Sequence, residues 1–479
     1  MWRSLARARA LQWPAVARPY SKAWTAVGAQ AAPRTGAAFA AAGGARVVST
    51  VSRGTAAVAR RQPLAAVLQR ACREGQRQPL GRALGQQLRP NTTTATAAAS
   101  SSAAAAGGRA AGGVPRAVKL WMTGCTGMVF GIITIGGVTR LTESGLSMVD
   151  WKLSGSLPPM GREAWEEEFA KYKQFPEFRR MHPHMTVEEF KGIFFWEYLH
   201  RMWGRSIGVA FALPFAYFTA RRQLSPSVRN RCLALLGGIG CQGLVGWWMV
   251  KSGLEEPDHE RAQPRVSQYR LATHLGAALL LYSGMLWTTL QFWKPDYAAL
   301  SEEALRTSMQ RVPAGRLRAI VGATSALVFT TAISGAFVAG LDAGLVYNEF
   351  PFMGEGLVPE ESWSMSALAK ASSTGDWLRE NLFENSASVQ FNHRCMGVTT
   401  ASVITAVFLY TSRFRAALPR AVNKARHSMM GMAALQVALG ITTLLTYVPV
   451  SIAAAHQTGS VVLLTTALWY LRELRRLPK

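Results

Sequence analysis

Four histidines open four apolar stretches of this 479-residue chain, and they fall into two matched pairs. His200 stands in Glu197-Tyr198-Leu199-His200-Arg201-Met202-Trp203-Gly204, and His393 in the near-copy Gln390-Phe391-Asn392-His393-Arg394-Cys395-Met396-Gly397. Each is followed, 74 and 63 residues later, by a second histidine: His274 in Leu271-Ala272-Thr273-His274-Leu275-Gly276, and His456 in Ala454-Ala455-His456-Gln457-Thr458-Gly459. Two imidazoles facing each other across a helix bundle are placed to ligate tetrapyrrole iron from both sides. A single histidine in a membrane helix more often hydrogen-bonds its neighbour. Four, paired in the same way in two repeats, favour iron. None has an i,i+4 partner that would complete a site for a bare zinc or copper ion.

The residues around the histidines differ between the copies. Glu197 and Gln390 both lie three residues before the first histidine of their repeat, on its helix face. A carboxylate beside iron in an apolar site has its pKa raised and can exchange protons or position water, whereas an amide cannot. That asymmetry assigns chemistry to the N-terminal half and a permanently held haem to the C-terminal half. A solvated, interfacial Glu197 is the plain alternative. Arg201 and Arg394 directly follow a histidine, so their guanidinium groups suit haem propionates. Snorkelling to lipid headgroups is an equal reading. His182-Pro183-His184 lies in a charged loop, as do His259 and His427, and these read as loop residues.

What positions these groups is a series of apolar runs, each near the ~20 residues that a membrane crossing needs. Eight are legible, at 118–138, 194–220, 233–250, 271–292, 319–340, 389–411, 429–448 and 452–471, the last two joined by a tight turn around Pro449. The histidines then open helices two, four, six and eight, all entering from one face within a turn or two of their starts. Other features duplicate as well. Ile135-Gly136-Gly137-Val138 matches Ile333-Ser334-Gly335-Ala336, and Cys241-Gln242-Gly243-Leu244-Val245-Gly246 matches Leu435-Gln436-Val437-Ala438-Leu439-Gly440. Four crossings per repeat make the repeats parallel, related by an axis along the membrane normal. The expected fold is therefore an all-α integral membrane protein. Its eight transmembrane helices form two tandem four-helix bundles related by a pseudo-two-fold axis.

Charge completes the organisation. Residues 1–116 hold 17 Lys and Arg against a single acid, Glu74, in an Ala-, Gly-, Ser- and Thr-rich background. That is the composition of an organelle transit peptide, with Arg3, Arg7 and Arg9 spaced for a mitochondrial one. Without it the net charge drops from +26 to about +10, so the basicity is no argument for a nucleic-acid partner. The divisions are 1–116 leader, 117–293 N-terminal bundle, 294–318 basic linker and 319–479 C-terminal bundle. Loops 221–231, 294–318 and 412–426 with the tail 472–479 carry 18 basic and four acidic residues; loops 139–192, 251–270 and 341–388 carry 14 and 21. The positive-inside bias puts both termini on the matrix side of an inner mitochondrial membrane. Cys72 lies in the leader. Cys125, Cys232, Cys241 and Cys395 form no Cys-x-x-Cys pair and read as buried small apolar residues.

From 118 to 471 the chain resembles the haem A synthases of mitochondrial type, on its Glu-x-x-His-Arg and Asn-His-Arg elements, the later histidine pair and the duplicated halves. The resemblance implies an inner-membrane oxidoreductase that converts the C8 methyl of haem O to a formyl group. The family is thought to proceed by successive hydroxylation and loss of water from a geminal diol. It implies Glu197 as the essential acid, His200 and His274 as ligands of the substrate haem, and His393 and His456 as ligands of a haem b cofactor. It also implies haem O as substrate, a ferredoxin-type electron donor, association with haem O synthase and a lipid surround, and it leaves homo-oligomerisation open. Some bacterial relatives carry paired loop cysteines; this chain has none in those loops. Three other functions stay in view: a bis-histidine cytochrome b that only relays electrons, a non-catalytic haem chaperone and, more distantly, a transporter.

Overall fold

The computed structural model describes residues 114–477 apart from 153, 257–263, 294–306, 308–309, 311, 364–367 and 369–370. The leader, Cys72 and His259 lie outside the described residues. Among those described, the regular structure is helical, with one isolated β-bridge between Met353 and Gly356.

Eight helices reach 25 residues or more. In chain order the helices are α1 (Arg116–Leu141), α2 (Arg162–Tyr172), α3 (Pro176–Met181), α4 (Val187–Ala220), α5 (Pro226–Leu254), α6 (Gln268–Phe292), α7 (Ala314–Gly340), α8 (Thr374–Arg379), α9 (Ser386–Ser412), α10 (Arg420–Leu445) and α11 (Val450–Arg475). At 1.5 Å per residue even the shortest long helix, α6, spans more than the ~30 Å hydrocarbon core. Six of the eight (α1, α5, α6, α7, α9 and α10) are both long and apolar enough to cross a membrane. The other two, α4 and α11, carry charged ends: Glu188, Glu189 and Lys191 on α4, Arg472, Glu473 and Arg475 on α11.

Packing follows chain order. Helix α1 lies against α4 and α6, and α5 lies against α4 and α6, which closes a ring of four. The same ring recurs among α7, α9, α10 and α11. The rings meet along α6 and α11, which touch each other, with α7 against α6 and α1 against α11. The shared core runs through Met122, Val129, Phe211, Leu279 and Met285 on one side and Leu317, Val321, Ile404, Met429 and Tyr470 on the other. Within the apolar interior, hydroxyl groups return to the helix carbonyl four residues back, as Thr126 does to Met122 and Thr324 to Ile320, so few polar groups are left over. The turn between α10 and α11 forms at Pro449 as expected, with Tyr447 and Val448 both left-handed at φ 60° and 55°. A β-branched residue adopts that region only when the flanking helices dictate it.

The segment after α1 folds over the outer end of α4. A capping box at Thr186, reciprocated by Glu189, starts α4 seven residues before the apolar run begins. The added turns present Phe190 and Phe194 to Phe169 and Tyr172 of α2, a separate aromatic core that includes Met148. Cys125 and Cys232 are buried as expected, but Cys241 and Cys395 are exposed on the outer faces of α5 and α9. An apolar run does not reveal which of its faces turns outward, because every face of a membrane helix is apolar.

A duplicated candidate haem centre

The four histidines sit on α4, α6, α9 and α11, one on every second helix of each ring. His274, His393 and His456 lie six or seven residues into their helices, roughly 10 Å along the axis. His200 is thirteen residues into α4, not a turn or two from its start, because the capping box begins that helix outside the apolar run.

Each imidazole rests on a glycine of the preceding long helix. A Cβ built on Gly136 would stand 3.0 Å from His200 Nε2, and one on Gly246 3.0 Å from His274 Cε1. In the second ring the distances are 3.2 Å from Gly335 to His393 Cε1 and 2.9 Å from Gly440 to His456 Cε1. Any larger residue would fill the seat, so the glycines recognised as a repeat in the sequence are where the rings are held. His200 and His274 face one another with ring centroids 6.4 Å apart. Two imidazoles bonded to one iron from opposite sides, at about 2 Å per bond, have centroids about 6 Å apart. Among the described residues no three His, Cys, Asp or Glu gather to hold a bare metal ion. A pair of imidazoles with no third ligand suits a metal that brings its own planar nitrogens, and the residues present fit a haem.

Residues to which the sequence reading assigned no role contact three of the histidines, two at the ring and one at its main chain only. Gln242 Nε2 donates to the His274 carbonyl at 2.8 Å and lies 3.1 Å from its Nδ1; Gln436 Nε2 donates to the His456 carbonyl at 2.7 Å. Ser334 Oγ lies 2.8 Å from the Thr331 carbonyl and 2.7 Å from His393 Nδ1. A hydroxyl whose proton goes to the carbonyl can accept from Nδ1–H, the tautomer that leaves Nε2 as the free base a ligating histidine needs. The seats pair Gly136 with Gly335, one residue away from the register read in the sequence, so the N-terminal counterpart of Ser334 is Ile135, which offers no acceptor. The signal for Gln242 and Gln436 was their matched place in the repeat; nothing local marked Ser334. Of ten buried side-chain nitrogen and oxygen atoms without partners among the described residues, four belong here: Gln242 Oε1, Gln436 Oε1, His456 Nδ1 and Arg394 Nε. These atoms are polar groups whose hydrogen-bonding capacity the protein itself does not use.

Glu197 is buried, 2 % exposed, so it is not solvated at the interface. One carboxylate oxygen accepts from Ser147 Oγ and Met148 N, each at 2.7 Å, and the other from Arg201 at 2.6 Å. Gln390 occupies the same place with both ends of its amide on Tyr347, accepting from its N–H at 3.2 Å and donating to its carbonyl at 2.8 Å. Both residues clamp the segment that leaves the first helix of their ring. The arginines clamp the next few residues. Arg201 donates to the Met148 and Asp150 carbonyls, and Arg394 to those of Glu349, Pro351 and Phe352. Arg201 therefore commits two bonds to loop carbonyls and one to Glu197, and Arg394 three to loop carbonyls, a role that local sequence does not reveal. His182 and His184 end up at the C-terminus of α3 and beyond it, with no metal cluster. His427 is not a loop residue: it lies in the second or third turn of α10, exposed, with Nδ1 on the Asn423 carbonyl four residues back.

Comparison with known proteins covers most of this chain. Residues 119–468 match the model of a family described as cytochrome oxidase assembly protein (COX15-CtaA). The chain is 50 % identical over 365 residues to Heme A synthase COX15 of Mus musculus, covering 76 % of this chain and 83 % of that protein. It is 45 % identical over 371 residues to Heme A synthase COX15 of Saccharomyces cerevisiae, covering 75 % and 76 %. A Heme A synthase-mitochondrial ferredoxin fusion protein of Schizosaccharomyces pombe is 41 % identical over 370 residues, 74 % of this chain and 59 % of the fusion.

Proposed function

The chain belongs to the cytochrome oxidase assembly protein family, and from that premise we propose that it is a haem A synthase, oxidising the C8 methyl of haem O to a formyl group. The observation that carries this reading is the 6.4 Å His200–His274 pair beside buried Glu197, set against a second pair in which Gln390 replaces the acid. In this reading His200 and His274 hold substrate haem O between α4 and α6. His393 and His456 hold a haem b, which supplies single electrons when bound. Ser334 orients His393, and the partnerless Nε of Arg394 is a donor that a propionate could take. Arg201 offers a propionate only the N–H groups its loop contacts leave over.

Glu197 holds or passes a proton beside the reacting methyl group. Its engagement with Ser147, Met148 and Arg201 favours a second role, that of a loop clamp. The two are separable in part, because Gln390 holds the equivalent segment through an amide. Glu197→Gln keeps one oxygen to accept from Ser147 and Met148, gives up the Arg201 bond and removes the acid. Glu197→Ala also strands the buried Arg201, a loss of about 3–5 kcal/mol, and is the poorer test. Haem O is supplied to cells making each variant, and the pigments bound to the protein are extracted. Glu197→Gln should retain haem and stop haem A accumulation; unimpaired haem A formation would leave Glu197 only the clamp. Haem O returned unchanged by the unaltered protein would support the chaperone.

All eight long helices cross the membrane in this reading, as two four-helix bundles (117–293 and 319–479) related by a pseudo-two-fold axis along its normal. The basic segment 294–318 joins them. Support comes from the repeated ring, the repeated glycine seats and the repeated loop clamps. Residues 1–116 direct the chain to the mitochondrial inner membrane, with both termini in the matrix; the leader composition and loop charges support this. The ferredoxin fused to the Schizosaccharomyces pombe relative supports a ferredoxin-type donor. Haem O synthase as supplier, a lipid surround and the absence of a nucleic-acid partner complete the reading; self-association is an open part of it.

A further inference from the structure

At the level of the histidines α1 meets α11 through polar groups and α6 meets α7 through apolar ones; away from that level Tyr282 on α6 bonds Thr465 on α11 at 2.6 Å and Tyr269 bonds Glu384 at 2.9 Å. Gln457, next to His456 on α11, donates its Nε2 to the Ile133 carbonyl of α1 at 2.9 Å. One residue on, Thr458 Oγ1 bonds Thr134 Oγ1 at 3.2 Å. Gly137, one turn beyond Ile133, makes room: a Cβ built there would collide with the Gln457 amide. Its neighbour Gly136 is the seat of His200. On the duplicate side Leu275 follows His274, and Ala336 replaces Gly137. There the rings meet through apolar contact, with Ile333 Cδ1 3.3 Å from a Cβ built on Gly276.

The apolar side shows that leucine is enough to pack this seam. A buried amide is harder to place than leucine, since each of its polar groups needs a partner. Gln457 therefore does something that packing does not require. Covalent bonds and one hydrogen bond connect the His456 imidazole, through Gln457, to the Ile133 carbonyl and along α1 to Gly136, leaving a single van der Waals contact to the His200 ring. Electrons tunnel better through such a bonded route than across van der Waals gaps. Resting on the haem reading of both sites, we propose that Gln457 is the positioning residue through which electrons pass from the C-terminal site to the N-terminal one. With haem held at both sites, each transfer would move one electron from the reduced C-terminal group to the oxidised N-terminal one. No bond forms or breaks, and an external one-electron donor replaces the electron.

The test uses the full-length protein with haem b in one half and the product haem A in the other, whose absorption bands are separate. A light-generated flavin radical reduces the protein, and the electron's redistribution between the bands is timed. Gln457→Leu should slow redistribution by about tenfold or more with both bands unchanged. Gly137→Ala, which pushes the amide aside, should do the same. Gln457→Glu, whose protonated carboxyl can donate to the Ile133 carbonyl, should restore the rate, and Leu275→Met on the duplicate side should not alter it. An unaltered rate in Gln457→Leu overturns the proposal. So does loss of either haem band or of folded protein from that variant, since the amide would then only hold the seam. Failure of the unaltered protein to show two haem bands would instead overturn the haem reading.

Discussion

The N-terminal half relies on carboxyl groups where the C-terminal half relies on amides. Glu197 and Gln390 hold equivalent loop segments, one as part of a buried ion pair and the other through both ends of an amide. The outer loops repeat the contrast. Over the N-terminal half, buried Glu177 accepts from the Tyr172 hydroxyl at 3.1 Å. Over the C-terminal half, buried Asn381 receives Trp363 N and Ser388 Oγ on its side-chain oxygen, and its carbonyl receives Asn392 beside His393. Amides do not titrate, so the Gln390 and Asn381 clamps of the half proposed to hold haem permanently are themselves indifferent to pH. The half proposed to react is framed by groups that can exchange protons.

The largest effect that could break this comparison is loss of one site alone. His393→Ala and His456→Ala should each remove the low-spin haem b spectrum of the purified protein, and retention of that spectrum in both would erase the division of labour. Next come the glycine seats. Valine at Gly335 or Gly440 forces an imidazole aside at about 1–3 kcal/mol, roughly ten- to a hundredfold in haem affinity. The loss should fall on the C-terminal haem, while valine at Gly136 or Gly246 should spare it, as the ratio of extracted pigments would report.

A smaller shift tests the tautomer. Ser334→Ala removes the acceptor from His393 Nδ1–H, worth about 1 kcal/mol, or about 40 mV for one electron. A less basic ligand stabilises ferric iron less, so the C-terminal midpoint potential should rise in a redox titration; a fall would reverse the assigned proton.

A last effect falls on stability and not on haem, at Glu177 in the loop. Burial first, and then the charges of Glu197 and Glu143, raise its carboxyl to about 8, against the Tyr172 hydrogen bond and Arg140, which lower it. The folded protein then binds a proton more tightly than the unfolded chain between about 4.5 and 8. Its contribution to stability is complete below that window and is lost as pH rises through it. Glu177→Gln should flatten this dependence in thermal unfolding of the detergent-solubilised protein, whereas Asn381→Asp should introduce one over the C-terminal half.

Much of the site was legible because membrane helices leave few polar residues in apolar runs, and those few stand out. Histidine pairing, the Glu197–Gln390 difference and the glycine repeats were all readable as sequence. The true start of α4 was not, because its first turns are held by a capping box and an aromatic core outside the membrane run. Nor was the work of Arg201 and Arg394, whose partners are main-chain carbonyls 42 to 53 residues away. A carbonyl has no side-chain signature, so such contacts leave no trace in residue types.

The amino-acid sequence by itself determined the helices, the duplication and which residues in them could bind iron, because composition and period govern which segments are apolar and helical. Only the tertiary structure decided which atoms meet. It set His200 6.4 Å from His274, seated each imidazole on a glycine and joined Gln457 to Ile133 across the seam. Those contacts depend on how helices turn and approach one another, a property of the packed bundle that no single segment encodes.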